Sequence, residues 1–125
     1  MLRGRSRYGV KRAVDGAGRS FASGWERTVA GELQLRERIG EIRDLRMQVW
    51  YHLEVAGVRI ESYVADFVYF DVRLGREVVA DAKRGLLTPD YRRKRKWMRA
   101  AHGIEILEIT PAPRARRTPT RRGTK

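Results

Sequence analysis

At 125 residues the chain is sized for one domain around a modest core, and a net charge of +13 with a pI near 11.1 points to a polyanionic partner, nucleic acid before membrane surface. The absence of cysteine excludes disulfides, zinc–thiolate sites and thiol nucleophiles, and suits a reducing compartment. No hydrophobic leader follows Met1 and no apolar run approaches the roughly 20 residues of a membrane helix, so a soluble, cytoplasmic protein with no membrane partner is expected.

The positive charge is concentrated at the ends. Residues 1–20 hold six Lys and Arg against Asp15, residues 110–125 hold six with no acid, and the middle keeps only +2 of the total. The opening segment is rich in Arg, Gly and Ser and lacks apolar periodicity, so residues 1–20 read as a basic arm. Such an arm either solvates the protein and adds nonspecific affinity or touches a DNA backbone, with Lys11 and Arg12 as candidate contacts. A folded domain is expected over 21–109 and a basic, disordered tail over 110–125, where Pro111, Pro113 and Pro119 alternate with arginines.

A helix begins near Ser23, whose hydroxyl can cap the chain while Glu26 reaches back in a Ser-x-x-Glu capping box. Trp25, Val29, Ala30, Leu33 and Leu35 supply its inward side, and Gly40 is its stop. Glu26 has two readings at this point, as a cap or as a site acid. A connector with Ile42 and Leu45 leads to a half-buried strand over Met47–Val55, in which Met47, Val49, Tyr51, Leu53 and Val55 alternate with Gln48, Trp50, His52 and Glu54. Gln48 either faces solvent or reaches a site. His52 is expected on the exposed face, since nothing nearby supplies a His-Asn-His constellation. Ala56-Gly57-Val58 turns the chain.

Two further strands follow, Glu61–Phe70 and Glu77–Lys83, rich in Val, Tyr, Phe and Ala and separated by a Gly-containing polar segment, the pattern of a hairpin. Each carries a carboxylate. A turn centred between Arg73 and Leu74 sets Asp66 opposite Asp81, about 4.5 to 5.5 Å apart at Cβ, with Lys83 on the same face two residues on. Two like charges that close repel, and a divalent cation between them is the natural remedy. Hard carboxylate oxygens without Cys or a nearby His favour magnesium, with manganese as a substitute, over zinc. A register slip of one residue would send the aspartates to opposite faces.

Beyond the loop Arg84-Gly85-Leu86-Leu87, Thr88-Pro89-Asp90 marks a helix start with a capping hydroxyl and proline in the first turn. That helix runs to about His102 and carries Arg92, Arg93, Lys94, Arg95, Lys96 and Arg99, with Tyr91, Trp97, Met98 and Ala101 as an inward stripe. Charge runs are usually solvated faces; here contact with phosphates is expected, because the run follows the acidic strands in an already basic chain. Gly103 ends the helix and Ile104–Ile109 reads as a last strand.

The sequence resembles the PD-(D/E)XK superfamily of restriction-endonuclease-like nucleases, and within it small phage-encoded members that are similar to Holliday-junction resolvases. The resemblance rests on Tyr8-Gly9-Val10-Lys11, Val14-Asp15-Gly16, Phe21-Ala22-Ser23 with Glu26, Gln48, Tyr63 with Ala65-Asp66-Phe67, Asp81-Ala82-Lys83-Arg84-Gly85 and Tyr91, in that order. The residue before Asp66 is Ala65, where the superfamily name has proline. The resemblance implies an α/β fold with an αβββαβ core, a central mixed sheet flanked by helices, between basic tails. It also implies a magnesium-dependent DNA endonuclease with Glu26, Asp66, Asp81 and Lys83 as catalytic residues. Asp66, Asp81, the Ala82 carbonyl and Glu26 would hold the metal, Gln48 matches a family position, and Lys11, Arg12, Arg84 and Arg92 to Lys96 would meet DNA. A homodimer acting on four-way junctions is implied too, because two symmetric nicks need two sites. Two other readings stand beside it: a general or restriction-like endonuclease on duplex DNA, and a noncatalytic basic DNA-binding protein.

Overall fold

The computed structural model describes the backbone of residues 13–14, 20–21 and 23–112 and the side chains of residues 23–112. Lys11, Arg12 and the tail from 113 onward lie outside the described residues. Within the expected basic arm, β1 (Ala13–Val14) pairs antiparallel with β2 (Ser20–Phe21). The chain then enters α1 (Gly24–Arg38), capped by Ser23, whose Oγ accepts the Glu26 N–H at 3.1 Å. Val29, Ala30 and Leu33 bury one stripe of this helix, with Trp25 partly buried beside them. Leu35 does not join them: it lies about 200° round the helix from Leu33 and is 51 % exposed.

Two long strands form the spine. β3 (Ile42–Val55) and β4 (Val58–Asp71) are joined by the two-residue turn Ala56-Gly57, with φ +51° and +81°, the left-handed pair that a tight hairpin turn requires. β3 starts earlier than its apolar alternation suggests, because Ile42 and Arg43 pair with Asp71 and Phe70 before an irregularity at Asp44-Leu45 shifts the register. β5 (Arg76–Ala82) returns antiparallel to β4, α2 (Pro89–His102) crosses over, and β6 (Leu107–Ile109) adds parallel to β5, giving a mixed sheet in the order β3-β4-β5-β6. The last strand is three residues long: Ile104 to Ile106 approach it without pairing. Thr88 caps α2 by accepting the Tyr91 N–H at 3.1 Å, and Gly103 closes it at φ +66°.

The sheet is covered on both faces. Val29, Ala30 and Leu33 of α1 pack with Ile42, Phe67, Tyr69, Val78 and Ala80; Tyr91 and Met98 of α2 pack with Leu53, Tyr63, Ala65, Val68, Val79 and Ile106. Each fully buried aliphatic or aromatic side chain contributes about 1.5–3 kcal/mol. Ala101, expected in the α2 stripe, is exposed. The fold is thus α/β, with four strands in a mixed sheet between two helices. Among the described residues no helix is long and apolar enough to cross a membrane.

One irregularity in β3 and β4 shapes the site. On β3, Leu45 and Met47 belong to the α1 side, whereas Val49, Tyr51 and Leu53 belong to the α2 side. On β4, Tyr63 and Ala65 belong to the α2 side, and Phe67 and Tyr69 to the α1 side. In a regular strand these odd-numbered residues would share one face. Both strands therefore roll over between Met47 and Val49 and between Ala65 and Phe67, at Gln48 and Asp66. Gln48 has φ +56°, a left-handed conformation that costs a non-glycine residue roughly 1–2 kcal/mol. The ladder pairs Met47 with Phe67 and Val49 with Ala65, and skips the pair between them. An alternation that looks continuous in the sequence is two half-strands serving two cores.

Candidate active site

Asp66 sits at that rollover, and there the β4–β5 pairing also ends. Phe67 and Ala80 are the last paired residues, after which β5 continues beside β6, with Asp81 opposite Glu108 and Ala82 opposite Ile109. The observed register, Phe67 opposite Ala80, is the one the hairpin turn predicts, but the ladder stops one pair short of Asp66 and Asp81. Where the two strands part, their backbone N–H groups lose ladder partners, and the two aspartates replace them: Asp66 N–H donates to Asp81 Oδ1 and Ala82 N–H donates to Asp66 Oδ2, both at 2.9 Å. Tyr63 O–H donates to the other oxygen of Asp81. Asp81 is 2 % exposed.

These donors do not neutralise the charge gathered here. Burial pushes the Asp66 carboxyl up to about 7, helped by repulsion from Asp81 and then from Glu26, against the Ala82 N–H and the charge of Lys83. Asp81 is raised as well, by burial above all, although Tyr63, the Asp66 N–H and Lys83 favour its ionised form. Burial, and next Asp81, raise Tyr63 in turn, so its hydroxyl keeps its proton for the bond.

Glu26 comes in from the first turn of α1 and is 6 % exposed. Its backbone N–H is the one Ser23 caps, and its carboxylate accepts a hydrogen bond from Gln48 Nε2 at 2.9 Å. Glu26 thus takes part in the cap through its backbone while its carboxylate binds Gln48 and its charge is felt at Asp66, so Gln48 reaches this group rather than only solvent. Lys83 lies one residue past the end of β5, not within it; its N–H donates to Ile109 O at 3.0 Å. Its ammonium rests on the Tyr91 ring face, 3.7 Å from the centroid. Asp66 is thus within electrostatic reach of Asp81, Glu26 and Lys83, and Asp81 of Lys83.

Among the described residues no group of three or more His, Asp or Glu side chains is arranged to hold a metal ion. Asp66 and Asp81 are each turned onto the facing strand's backbone, and Glu26 onto Gln48. The donor chemistry nevertheless suits a hard divalent ion, with several carboxylates in one desolvated spot, their charge only partly met and no sulfur ligand nearby.

The basic helix is less open than its sequence suggests. Arg93 pairs with Glu61 and Asp90 at 3.0 and 2.6 Å, Lys94 with Asp90 at 3.5 Å, Arg95 with Glu108 at 2.6 Å and Arg99 with Glu105 at 2.7 Å. Phosphate contact by Arg93, Lys94 or Arg95 would have to displace a carboxylate. Among the described residues Arg84, Arg92 and Lys96 have no such partner and are the readier contacts. Arg92, Arg93, Arg95 and Lys96 together line a shallow concavity on the outer side of α2. His52 is exposed, with Nδ1 3.3 Å from Ser62 Oγ, in keeping with an outward position.

Three residues gain a place that residue types alone did not predict. Tyr63 holds Asp81, Tyr91 carries Lys83, and Glu108 accepts the Tyr91 hydroxyl at 2.8 Å. The available signal for Glu108 was topological: a last strand running parallel beside β5 sets it next to Asp81. Comparison with known proteins adds nothing to this geometry, since no family model, no curated protein and no solved structure matches the chain.

Proposed function

We propose that the chain is a metal-dependent DNA endonuclease of the restriction-endonuclease-like kind. Within that class we propose a homodimeric, cytoplasmic, phage-type Holliday-junction resolvase that makes paired nicks in four-way junctions. The observation that carries the reading is the meeting of Asp66 and Asp81 where β4 and β5 part, desolvated and mutually repelling, with Lys83 two residues on. Capping two backbone N–H groups accounts for their hydrogen bonds but not for setting two desolvated carboxylates against each other, and in a purely electrostatic DNA binder the pair would repel phosphate. The order of helix, three strands, helix and strand agrees with the αβββαβ core the reading requires.

In this reading Asp66, Asp81 and the Ala82 carbonyl hold magnesium, or manganese in its place, and Glu26 a second ion or its water. A bound divalent ion acidifies a water molecule and stabilises charge on phosphoryl oxygens. Tyr63 and the Asp66 N–H aim the Asp81 carboxylate and favour its ionised form against the effect of burial. Lys83 brings a positive charge toward the phosphate as negative charge builds on it, or orients the attacking water. Arg84, Arg92 and Lys96 take up backbone phosphates on either side, supplying affinity without sequence preference.

The test is nicking of labelled four-way junctions and matched linear duplexes with magnesium, with manganese and with chelator, by wild type and Asp81→Asn. Paired nicks restricted to the junction, dependent on metal and lost in Asp81→Asn, support the resolvase. Cutting of both substrates replaces it with a general endonuclease. Tight binding without cutting replaces it with a noncatalytic DNA-binding protein.

A further inference from the structure

We infer that Tyr91 is a positioning residue for Lys83, with Glu108 as the anchor that fixes the ring. The inference deepens the nuclease reading and rests on it. A lysine side chain is a flexible stem with a compact charge at its end, and Lys83 has left the regular part of β5, so the strand alone does not determine where its ammonium stands. The ring supplies that determination. The Nζ atom sits 3.7 Å from the Tyr91 centroid, well inside the range in which an aromatic face attracts a cation.

The ring is itself held at both ends. Tyr91 is 6 % exposed, its N–H is bound by the Thr88 cap, and its hydroxyl donates to Glu108 Oε2. Glu108 belongs to β6, directly beside Asp81 in the parallel ladder, and the same Oε2 also accepts from Arg95 Nη1 at 2.6 Å. A closed circuit results. Asp81 and Lys83 are joined along β5 and again through Glu108 and Tyr91, so the acid and the ammonium are held in one frame by two routes. If Tyr91 only filled the core, neither the ring's face toward Lys83 nor the hydroxyl's tether would bear on cleavage.

The experiment has two readouts on the full chain. The first is the ring-current shift of the Lys83 Cε and Hε signals by NMR in metal-free protein, assigned by their loss in Lys83→Arg. The second is kcat and KM for junction nicking, with unfolding midpoints measured alongside. Tyr91→Phe keeps the ring, retains the shift and loses about 5-fold or less in kcat. Tyr91→Leu loses the shift and about 10²-fold in kcat with KM within about 3-fold, the signature of a misplaced catalytic group. Glu108→Ala, which leaves the core intact, falls between them on both readouts. A wild-type Lys83 without a ring-current shift overturns the contact, and a Tyr91→Leu protein with wild-type kcat overturns the positioning role alone. A wild type that shows the shift but cuts no DNA removes the nuclease reading, and the role in cleavage with it.

Discussion

The β4–β5 hairpin has one desolvated carboxylate at its turn end and two at its open end, and the two ends are treated in opposite ways. At the turn end Asp71, 8 % exposed, accepts hydrogen bonds from the Leu74 N–H at 3.0 Å and from Arg36 Nη2 at 3.4 Å. The Leu74 N–H above all, and then Arg36, hold its carboxyl below the ordinary value in spite of desolvation. At the open end Asp66 and Asp81 meet, receive backbone and tyrosine donors, have no arginine partner among the described residues, and are both raised. One end is a finished structural joint. The other carries charge that the protein's own donors leave partly unmet, and the proposed nuclease function rests on that contrast.

The largest expected effect breaks the open end. Asp81→Asn or Lys83→Ala lowers junction nicking by about 10³-fold or more, since metal and charge stabilisation are lost together, while binding measured by gel shift in chelator stays near wild type. Equal nicking by variant and wild type would take both residues out of the mechanism. At the closed end, Asp71→Ala lowers the urea midpoint and leaves the nicking rate of the folded protein unchanged; a matching loss of rate would mean the two ends are not independent.

The next effect is on pH. Folding raises Asp66 from its ordinary 3.8 to about 7, so the folded state binds its proton more tightly than the unfolded state does. Stability from this group is complete below the unfolded value and is lost as pH rises through about 7, at most about 4 kcal/mol. Metal-free protein should therefore be more stable near pH 5 than near pH 8, and Asp66→Asn should flatten that slope in urea titrations. A wild-type curve that rises over the same interval would contradict the unmet charge. The smallest effect belongs to Gln48→Gly, which relieves the left-handed backbone but gives up the bond to Glu26. These offset each other, so stability moves by about 1 kcal/mol or less, while nicking falls as Glu26 loses its support.

Local signals made much of this architecture legible. Ser23, Thr88-Pro89 and Gly103 mark helix ends through side-chain caps and a left-handed residue, which act within four residues of themselves. The hairpin register up to Phe67 opposite Ala80 was legible because turn geometry fixes register directly, and Asp66 and Asp81 meet just beyond it through hydrogen bonds to the facing strands. The rollover at Gln48 and Asp66 was hidden, since odd-numbered apolar residues look the same whether they serve one core or two. The neutralisation of α2 was hidden as well: Arg93 meets Glu61 and Arg95 meets Glu108 only after the sheet has formed. The bonds Tyr63–Asp81 and Tyr91–Glu108 join residues eighteen and seventeen positions apart, which periodicity does not reach.

Calorimetric titration of manganese into metal-free protein at pH 8 tests the central claim most directly. Saturable binding by the wild type, lost when Asp66→Asn and Asp81→Asn are combined and kept in Asp71→Ala, is the predicted result. Heat indistinguishable between wild type and the double variant would show that the unmet charge where β4 and β5 part holds no cation.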